Sequence, residues 1–268
     1  MRSVHEARGL ARLFAGAVVA LVACRSEPPA ARLVVFAAAS LREAFTALGE
    51  DFERTHPGTK VTFNFAGTQE LRTQLEHGAE ADVFAAADPL QMDELVRMSR
   101  ASAPVVFARN EPVIVVAAEA AARIRGIADL PSASRVVIGT PEAPIGRYAL
   151  QILDSAGATL GEGFRDRVEA KVVSRESNVR QVLMKVSLGE AEAGFVYRSD
   201  AQSATARVTV VDIPPELGVV AEYPIAVVTG SAKPALARDW IDFVLSTHGQ
   251  DALRRAGLLG SAGSRPTP

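Results

Sequence analysis

The chain has 268 residues, of which 48% are apolar and 22% are charged, and its formal net charge is −2. This composition is typical of a folded globular protein and excludes collagen, coiled-coil and fully disordered chains. The length suits one large domain or two smaller ones, and the near-neutral charge offers no basic surface for a nucleic acid. The single cysteine, Cys24, excludes an intrachain disulfide and a zinc site built from several thiolates.

The N-terminus has the organisation of a secretory signal peptide. Residues 1–12 include three arginines, and residues 13–23 form an apolar run too short to cross a bilayer. The run ends in the sequence LVAC at 21–24, which resembles the bacterial lipobox, where the cysteine is lipidated and becomes the first mature residue. We therefore predict a signal peptide over 1–23, a lipidated Cys24 with a tether over 24–31, and a location in the periplasm or cell envelope. A plain secreted protein is the alternative.

Strand-like and helical patterns alternate through residues 32–259. Strand-like apolar runs lie at 33–37, 61–65, 82–87, 112–117, 135–139, 170–173, 193–197, 208–212 and 225–229. This alternation predicts an α/β protein with mostly parallel sheets, which bind ligands beyond the carboxyl ends of their strands. Residues 260–268 have no apolar periodicity and are expected to form a flexible tail.

Two strand-to-helix junctions in the first third of the chain offer free N–H groups at the start of a helix. At the first, Ser40 is predicted as the N-cap and Glu43 completes a capping box, with the helix ending near Thr55. At the second, Gly67 leaves room for a ligand and Thr68 is predicted to cap the helix without a capping box. Both junctions present hydroxyl groups beside backbone donors.

Two further junctions follow in the middle of the chain. Ile145 lies between a proline and a glycine at the start of a helical pattern, and Asn178 is a predicted N-cap before Val179, the first helical residue. The start of a helix carries roughly half a positive charge and binds anions without a charged side chain. If the fold brings the four junctions together, the sequence predicts an oxyanion pocket.

The motifs at and between these junctions resemble the periplasmic molybdate-binding protein family, the solute receptors of molybdate ABC importers. The resemblance extends over about 32–259. Its motifs, in chain order, are FAAASL at 36–41, FAGT at 65–68, GAEADVFAAAD at 78–88, PIGRYA at 144–149, NVR at 178–180, GFVYRSDA at 194–201 and EYPIAVV at 222–228.

The resemblance implies a two-lobed α/β fold of the type II periplasmic binding proteins, with the ligand in the cleft between the lobes. One lobe would contain residues 32–108 plus 223–259 and the other residues 109–222, with two crossovers near 107–112 and 220–224. The family also implies a monomeric receptor that needs no cofactor and delivers its anion to a membrane ABC permease.

The ligand donors of the family fall on five positions of this sequence. They are the hydroxyl and N–H groups of Ser40 and Thr68, the N–H groups of Ile145 and Val179, and the hydroxyl of Tyr197. Thr68 departs from the serine usual in the family and adds a methyl group with a restricted χ1. A donor-only shell suits deprotonated molybdate, tungstate or sulfate, held through their oxygens with no direct metal ligand, and disfavours protonated phosphate.

Several conspicuous side chains near these motifs are expected to be structural. Asp88, followed by a proline, is predicted to cap a helix in a capping box with Gln91. Tyr148 and Tyr223 are expected in the hinge or core, as are Trp240, Phe243 and Val244 in the core. The arginines beside the motifs are expected to form surface or inter-lobe ion pairs: Arg42, Arg147, Arg180 and Arg198.

An enzyme is disfavoured by the motifs that the sequence lacks. It has no Gly-x-Ser-x-Gly nucleophile elbow, no P-loop and no Gly-x-Gly-x-x-Gly fingerprint. His56, His77 and His248 are predicted at surface helix ends where the dipole favours a histidine. The alternatives that remain beside a molybdate receptor are a receptor for another oxyanion such as sulfate and a tethered oxyanion sensor.

Overall fold

The computed structural model describes residues 31–261. The predicted signal peptide, the lipidated Cys24, the tether up to residue 30 and the tail from residue 262 lie outside the described residues. No helix within 31–261 combines the length and the apolar character needed to span a membrane.

Eleven strands and nine α-helices occupy the described part of the chain. The strands are β1 (Ala31–Ala38), β2 (Thr59–Ala66), β3 (Val83–Ala85), β4 (Val105–Asn110), β5 (Pro112–Ala117), β6 (Val136–Gly139), β7 (Val172–Glu176), β8 (Ala193–Tyr197), β9 (Val208–Val211), β10 (Ala221–Val227) and β11 (Leu259–Gly260). The α-helices are α1 (Arg42–Thr55), α2 (Thr68–Glu76), α3 (Pro89–Arg97), α4 (Pro144–Leu160), α5 (Phe164–Glu169), α6 (Val179–Ser187), α7 (Arg198–Gln202), α8 (Pro234–Leu245) and α9 (Thr247–Arg255).

The strands form two sheets. The first has the order β11-β4-β10-β3-β1-β2, and the second has the order β7-β6-β8-β5-β9. In the first sheet β1 pairs in parallel with β2 and β3, while β10 runs antiparallel to β3 and β4. In the second sheet β6 is parallel to β7 and β8, while β5 is antiparallel to β8 and β9. Of these nine strand pairings, counting the antiparallel pair of β11 and β4, four are parallel and five are antiparallel. The sheets are therefore mixed and not mostly parallel as predicted, because β5 and β10 each run against both of their neighbours.

The chain passes between the two sheets twice. Glu111 alone separates β4 from β5, and residues 212–220 connect β9 to β10. The predicted lobe boundaries at 108/109 and 222/223 fall inside β4 and β10, two residues from these changes of sheet. The strand β4 was not predicted, because its apolar part, residues 105–108, is short and the strand ends in the polar residues Arg109 and Asn110.

The C-terminal helices cover one face of the first sheet with an aromatic core. Trp240 is fully buried, and its ring lies 5.6 Å from the ring of Phe45 and 5.3 Å from that of Phe52. Val244 is also fully buried, and Phe243 packs against the same core while partly buried. The prediction that these C-terminal side chains belong to the core is confirmed.

The predicted flexible tail begins too early. Gly260 pairs with Ala108 in β11, and the N–H group of Ser261 donates to Oε1 of Gln250 at 3.0 Å. Two residues can form an ordered strand here because β4 offers an unpaired edge, a partner that local sequence patterns do not reveal. The prediction of a flexible tail is therefore wrong for Gly260 and Ser261.

A close backbone approach fixes the start of α4 against the end of β6. A Cβ atom on Gly139 would lie 2.7 Å from the backbone nitrogen of Gly146. A Cβ atom on Gly146 would collide with the carbonyl oxygen of Thr140. Both positions therefore require glycine, and this contact sets where the first N–H groups of α4 point.

We expect Gly146→Ala to lower the free energy of unfolding by about 1–3 kcal/mol, because the added methyl group must displace backbone. Gly157→Ala, in the same helix with no atom near its Cβ position, is the matched control and should raise stability by about 0.5–1 kcal/mol. Urea unfolding of the two variants measures both changes. Equal effects of the two substitutions would contradict the close approach.

Candidate functional site

The four predicted junctions meet at one small cavity between the sheets. It encloses about 20 Å³, little more than a single water molecule needs. Its described lining residues are uncharged: Ala38, Ala39, Ser40, Ala66, Gly67, Thr68, Ala87, Ala143, Pro144, Ile145, Ser177, Asn178, Val179 and Tyr197. All five predicted ligand positions are among them, and each is at least 96% buried. The fold therefore brings together every residue that the sequence analysis selected for the site.

Three α-helices begin at this cavity. Thr68 and Val179 are the first residues of α2 and α6, and Ile145 is the second residue of α4. N–H groups in the first turn of a helix have no acceptor within that helix. Asn178 caps α6 as predicted, and its side chain accepts hydrogen bonds from the N–H groups of Arg180 and Gln181 at 3.1 and 3.3 Å. The N–H group of Val179, outside this cap, stays available to the cavity.

Ser40 does not cap α1. It lies in a 3₁₀ turn at Ala39–Leu41, and α1 begins at Arg42 without a side-chain cap. Its hydroxyl oxygen lies 2.9 Å from the hydroxyl oxygen of Tyr223 instead. Glu43 pairs with Arg180 and completes no capping box. The predicted capping box is wrong because the 3₁₀ turn moves the N-cap from Ser40 to Leu41 and directs Ser40 inwards.

Thr68 is a helical residue and not the cap of α2. Gly67 occupies the N-cap position, and Glu70 accepts a hydrogen bond from its N–H group at 2.7 Å, contrary to the predicted absence of such a contact. The Thr68 hydroxyl oxygen accepts from the N–H group of Ala87 at 3.2 Å. Because a backbone N–H group can only donate, the hydroxyl hydrogen of Thr68 is left for the cavity.

Tyr197 ends β8 and is 1% exposed. Its hydroxyl group lines the cavity and has no hydrogen-bond partner among the described residues. Burial, helped by Tyr223, Tyr148 and nearby carboxylates, raises the Tyr197 pKa well above its ordinary value. The phenol therefore keeps its proton, and a buried, unpaired hydroxyl group of this kind requires a partner.

Asp88 and Arg147, which lie next to the site motifs, pair with each other outside the cavity. Asp88 caps α3 as predicted, accepting from the N–H group of Gln91 at 2.9 Å, and its other oxygen pairs with Arg147 from α4. Gln91 does not complete the predicted capping box, because its side chain contacts Arg72 and the carbonyl oxygen of Glu142.

Of the other three arginines beside the motifs, two form ion pairs and one lies over an aromatic ring. Arg180 of α6 pairs with Glu43 of α1 and Asp200 of α7, and Arg198 pairs with Glu111 and Asp212. The guanidinium of Arg42 lies over the ring of Phe65, 4.7 Å from its centre. The expectation of surface and inter-lobe ion pairs is confirmed for Arg147, Arg180 and Arg198.

The three histidines within residues 31–261 lie outside the cavity lining. His56 and His77 follow the last turns of α1 and α2, as predicted. His248 is the second residue of α9, where the helix dipole disfavours a positive charge, so its predicted favourable position is wrong. It contacts Asp51 at 2.6 Å instead. Residues 31–261 contain no cluster of three or more histidine, cysteine or acidic residues that could hold a metal ion.

Tyr223 and Asn110 are the site-related residues that sequence reasoning did not assign. Tyr223 is buried in the core, which is one of the two locations predicted for it, and its hydroxyl group also contacts Ser40. Asn110 lies at the end of β4 and approaches the Tyr223 hydroxyl at 3.4 Å. The motif containing Tyr223 was a signal for this contact, whereas the position of Asn110 depends on the unpredicted strand β4.

Asp200 is fully buried beside Arg180, and burial raises its pKa to about 7 although the guanidinium opposes this shift. One of its carboxylate oxygens has no partner among the described residues. The folded protein therefore holds the Asp200 proton more tightly than the unfolded chain does. Because of this group, stability should fall as pH rises from about 4 to about 7.

We expect Asp200→Asn to abolish this fall in stability with pH, because an amide does not titrate. As pH rises from 4 to 7, the free energy of unfolding of the variant should therefore increase relative to that of the wild type by a few kcal/mol. Chemical unfolding at several pH values measures the difference between the two proteins. The exposed residue Asp239 provides the control variant Asp239→Asn. A constant difference between Asp200→Asn and wild type across this range would contradict the assignment.

Comparisons with known proteins agree with this architecture. Residues 33–259 match the family model of the bacterial extracellular solute-binding proteins. The molybdate-binding protein ModA of Mycobacterium tuberculosis is 42% identical, with 96% of this chain and 99% of that protein covered. ModA of Escherichia coli is 31% identical over 94% of this chain and 98% of its own length.

Solved structures share the fold. The substrate-binding domain of a putative molybdenum ABC transporter from Clostridium difficile is 27% identical with a TM-score of 0.65, covering 86% of this chain and 99% of that one. The sulfate-binding protein SubI of M. tuberculosis has a TM-score of 0.76 at 18% identity, with coverage of 85% and 86%, which shows a common fold alone. These relatives are solute-binding proteins and not enzymes. With its type II periplasmic binding protein fold, the chain belongs to the bacterial extracellular solute-binding proteins and, among them, to the molybdate-binding protein family.

Proposed function

We propose that this protein is an extracytoplasmic receptor for molybdate and tungstate that delivers the anion to an ABC permease. The observation that carries the proposal is the convergence of uncharged donors, including the unpaired Tyr197 hydroxyl, on one buried cavity. The relatives that cover nearly the whole chain are named as molybdate-binding proteins, which supports the same ligand.

In this proposal the anion oxygens accept hydrogen bonds from five residues. The donors are the hydroxyl and N–H groups of Ser40 and Thr68, the N–H groups of Ile145 and Val179, and the Tyr197 hydroxyl. A hydrogen bond to a charged acceptor contributes roughly 1.5–3 kcal/mol, so such a shell can replace the water that the dianion loses. The three helix N-termini add favourable partial charge, and the metal atom of the anion needs no protein ligand.

The chemistry of the cavity favours a fully deprotonated oxyanion. The hydroxyl and N–H groups that line the cavity are donors and leave no acceptor for a protonated phosphate. Sulfate is the second candidate, because it also is a fully deprotonated tetrahedral dianion that needs donors alone. We propose molybdate over sulfate because the relative that is 42% identical is named as a molybdate-binding protein.

Contacts across the cleft support closure of two lobes, 32–108 plus 223–259 and 109–222, over the anion. Gln69 of α2 donates to the carbonyl oxygen of Ser177 at 2.7 Å. Arg147 pairs with Asp88, and Arg180 pairs with Glu43, each between elements of different sheets. We infer that these contacts hold the closed receptor that the permease recognises.

Thermal unfolding of the purified receptor domain, residues 27–268, without the predicted lipid anchor, tests the ligand directly. Molybdate or tungstate at 100 times its dissociation constant should add about 2.7 kcal/mol of stability. For a chain of this size, each kcal/mol should raise the midpoint by roughly 2–4 °C. Sulfate and phosphate are the comparison anions. A shift with sulfate alone would replace the proposed ligand, and no shift with any of the four would refute an oxyanion receptor.

Tyr197→Phe and Ser40→Ala should each weaken molybdate binding about 10- to 150-fold, because each removes a donor to a buried dianion. Tyr197→Phe should leave the unliganded protein as stable as wild type, since the deleted hydroxyl has no protein partner. Isothermal titration calorimetry measures the affinities, with Tyr148→Phe as a buried tyrosine control outside the cavity lining. Unchanged affinity in both site variants would overturn the site.

The proposed location rests on the N-terminal motif. Cys24 would carry the lipid that holds the receptor at the membrane, next to its permease. Metabolic labelling with a fatty-acid analogue should mark the wild-type protein and not Cys24→Ser. Equal labelling of the two proteins would refute a lipid anchor at this cysteine.

A further inference from the structure

Four buried polar side chains form a chain of hydrogen bonds that ends at Ser40. The amide nitrogen of Asn110 donates to the hydroxyl of Ser199 at 2.8 Å and approaches the hydroxyl of Tyr223 at 3.4 Å. The hydroxyl oxygen of Tyr223 lies 2.9 Å from that of Ser40. All four residues are more than 90% buried. Ser40 is the only one of them that lines the small cavity between the sheets.

The orientation of the Asn110 amide follows from its other neighbour. The N–H group of Glu111 lies 3.0 Å from the Asn110 side-chain oxygen. A backbone N–H group can only donate, so this atom must be the amide oxygen, and the NH₂ group must face Ser199 and Tyr223. The backbone N–H group of Glu111 therefore fixes which groups donate and which accept along this series of hydrogen bonds.

The direction then passes from Asn110 to Ser40. An amide NH₂ group can only donate, so the Tyr223 oxygen accepts from Asn110, and the single hydrogen of the phenol turns towards Ser40. The Ser40 oxygen accepts that hydrogen, which leaves its own hydroxyl hydrogen for the cavity. Burial raises the Tyr223 pKa well above its ordinary value, so the phenol has the proton that this arrangement needs.

We propose that Asn110 and Tyr223 are positioning residues that hold the Ser40 hydroxyl as a donor towards the anion and so exclude protonated oxyanions. The inference rests on the proposed oxyanion receptor. Hydrogenphosphate needs one acceptor for its P–O–H group, and a freely rotating serine hydroxyl could supply it. The Thr68 oxygen keeps a second lone pair beside the one that the Ala87 N–H group occupies, but accepting from a P–O–H group would turn the Thr68 hydrogen away from the anion and leave it unpaired. Tyr223 imposes the same cost at Ser40, because a Ser40 hydrogen that leaves the anion cannot point to a phenol that already donates along that contact.

A double-mutant cycle separates this role from a general structural one. In isothermal titrations with molybdate, Tyr223→Phe should weaken binding about three- to tenfold in the wild-type background and have no further effect beside Ser40→Ala. In competition experiments against bound molybdate, phosphate should gain on molybdate in Tyr223→Phe. Tyr148→Phe, which removes another buried phenol hydroxyl without a contact to Ser40, should change neither affinity nor selectivity.

Asn110→Asp provides a second variant if Tyr223→Phe does not fold. A carboxylate cannot donate to Tyr223, so the phenol should turn its hydrogen to residue 110, and Ser40 should lose its incoming donor. The added negative charge should weaken the binding of molybdate and phosphate equally, with or without the Ser40 hydroxyl. The loss of the hydrogen bond donated by Tyr223 should change the selectivity between the two anions only when Ser40 is present. In the competition experiment, Asn110→Asp should therefore also bind more phosphate relative to molybdate than the wild type does.

Equal losses for molybdate and phosphate, or equal losses with and without Ser40, would overturn the positioning role while leaving the receptor intact. A wild-type protein that binds neither molybdate nor sulfate would overturn the proposed function, and the positioning role with it. Thermal unfolding of each unliganded variant shows separately whether its fold is preserved.

Discussion

The constraint on which this structure depends is that a dianion taken out of water needs a complete set of fixed donors. In the proposed receptor these donors would come from uncharged groups, because strands of both sheets end beside the first turns of α2, α4 and α6. Neutral donors cost less to bury than a guanidinium group and select for acceptors alone. The alternating strand and helix order of the chain is the means by which these donors reach one point.

The charges that the cavity excludes lie one layer further out. Asp88 pairs with Arg147, and Glu43 and Asp200 share Arg180. Arg147 offsets the charge of Asp88 and Arg180 that of Glu43, and both of these pairs join elements of different sheets. Asp200 needs less compensation, because burial raises its pKa to about 7. Electrostatic screening of the site and contact between the two halves are thus achieved by the same side chains.

Local patterns were enough to predict most of the strands and helices and the four junctions that meet at the cavity, because strand ends and helix starts have their own residue signals, whereas Tyr197 was selected through the family resemblance. They failed where a tertiary contact decided the outcome. Ser40 has the residue type of an N-cap, but its contact with Tyr223 and the 3₁₀ turn give it another role. Strands β4 and β11 exist because each finds a neighbour distant in sequence. No local pattern contains that information.

The geometry also explains why closure and binding should be coupled. The N-termini of α2, α4 and α6 all face the cavity, so their like partial charges repel one another when the halves approach. The approach is close, because a Cβ atom on Gly67 would collide with the carbonyl oxygen of Ser177, the same oxygen that accepts from Gln69. The ion pairs and this hydrogen bond offset part of the repulsion, but they lie outside the cavity. In the proposed receptor a dianion at the meeting point of the three helices would convert their repulsion into attraction, so the ligand itself would stabilise the closed form.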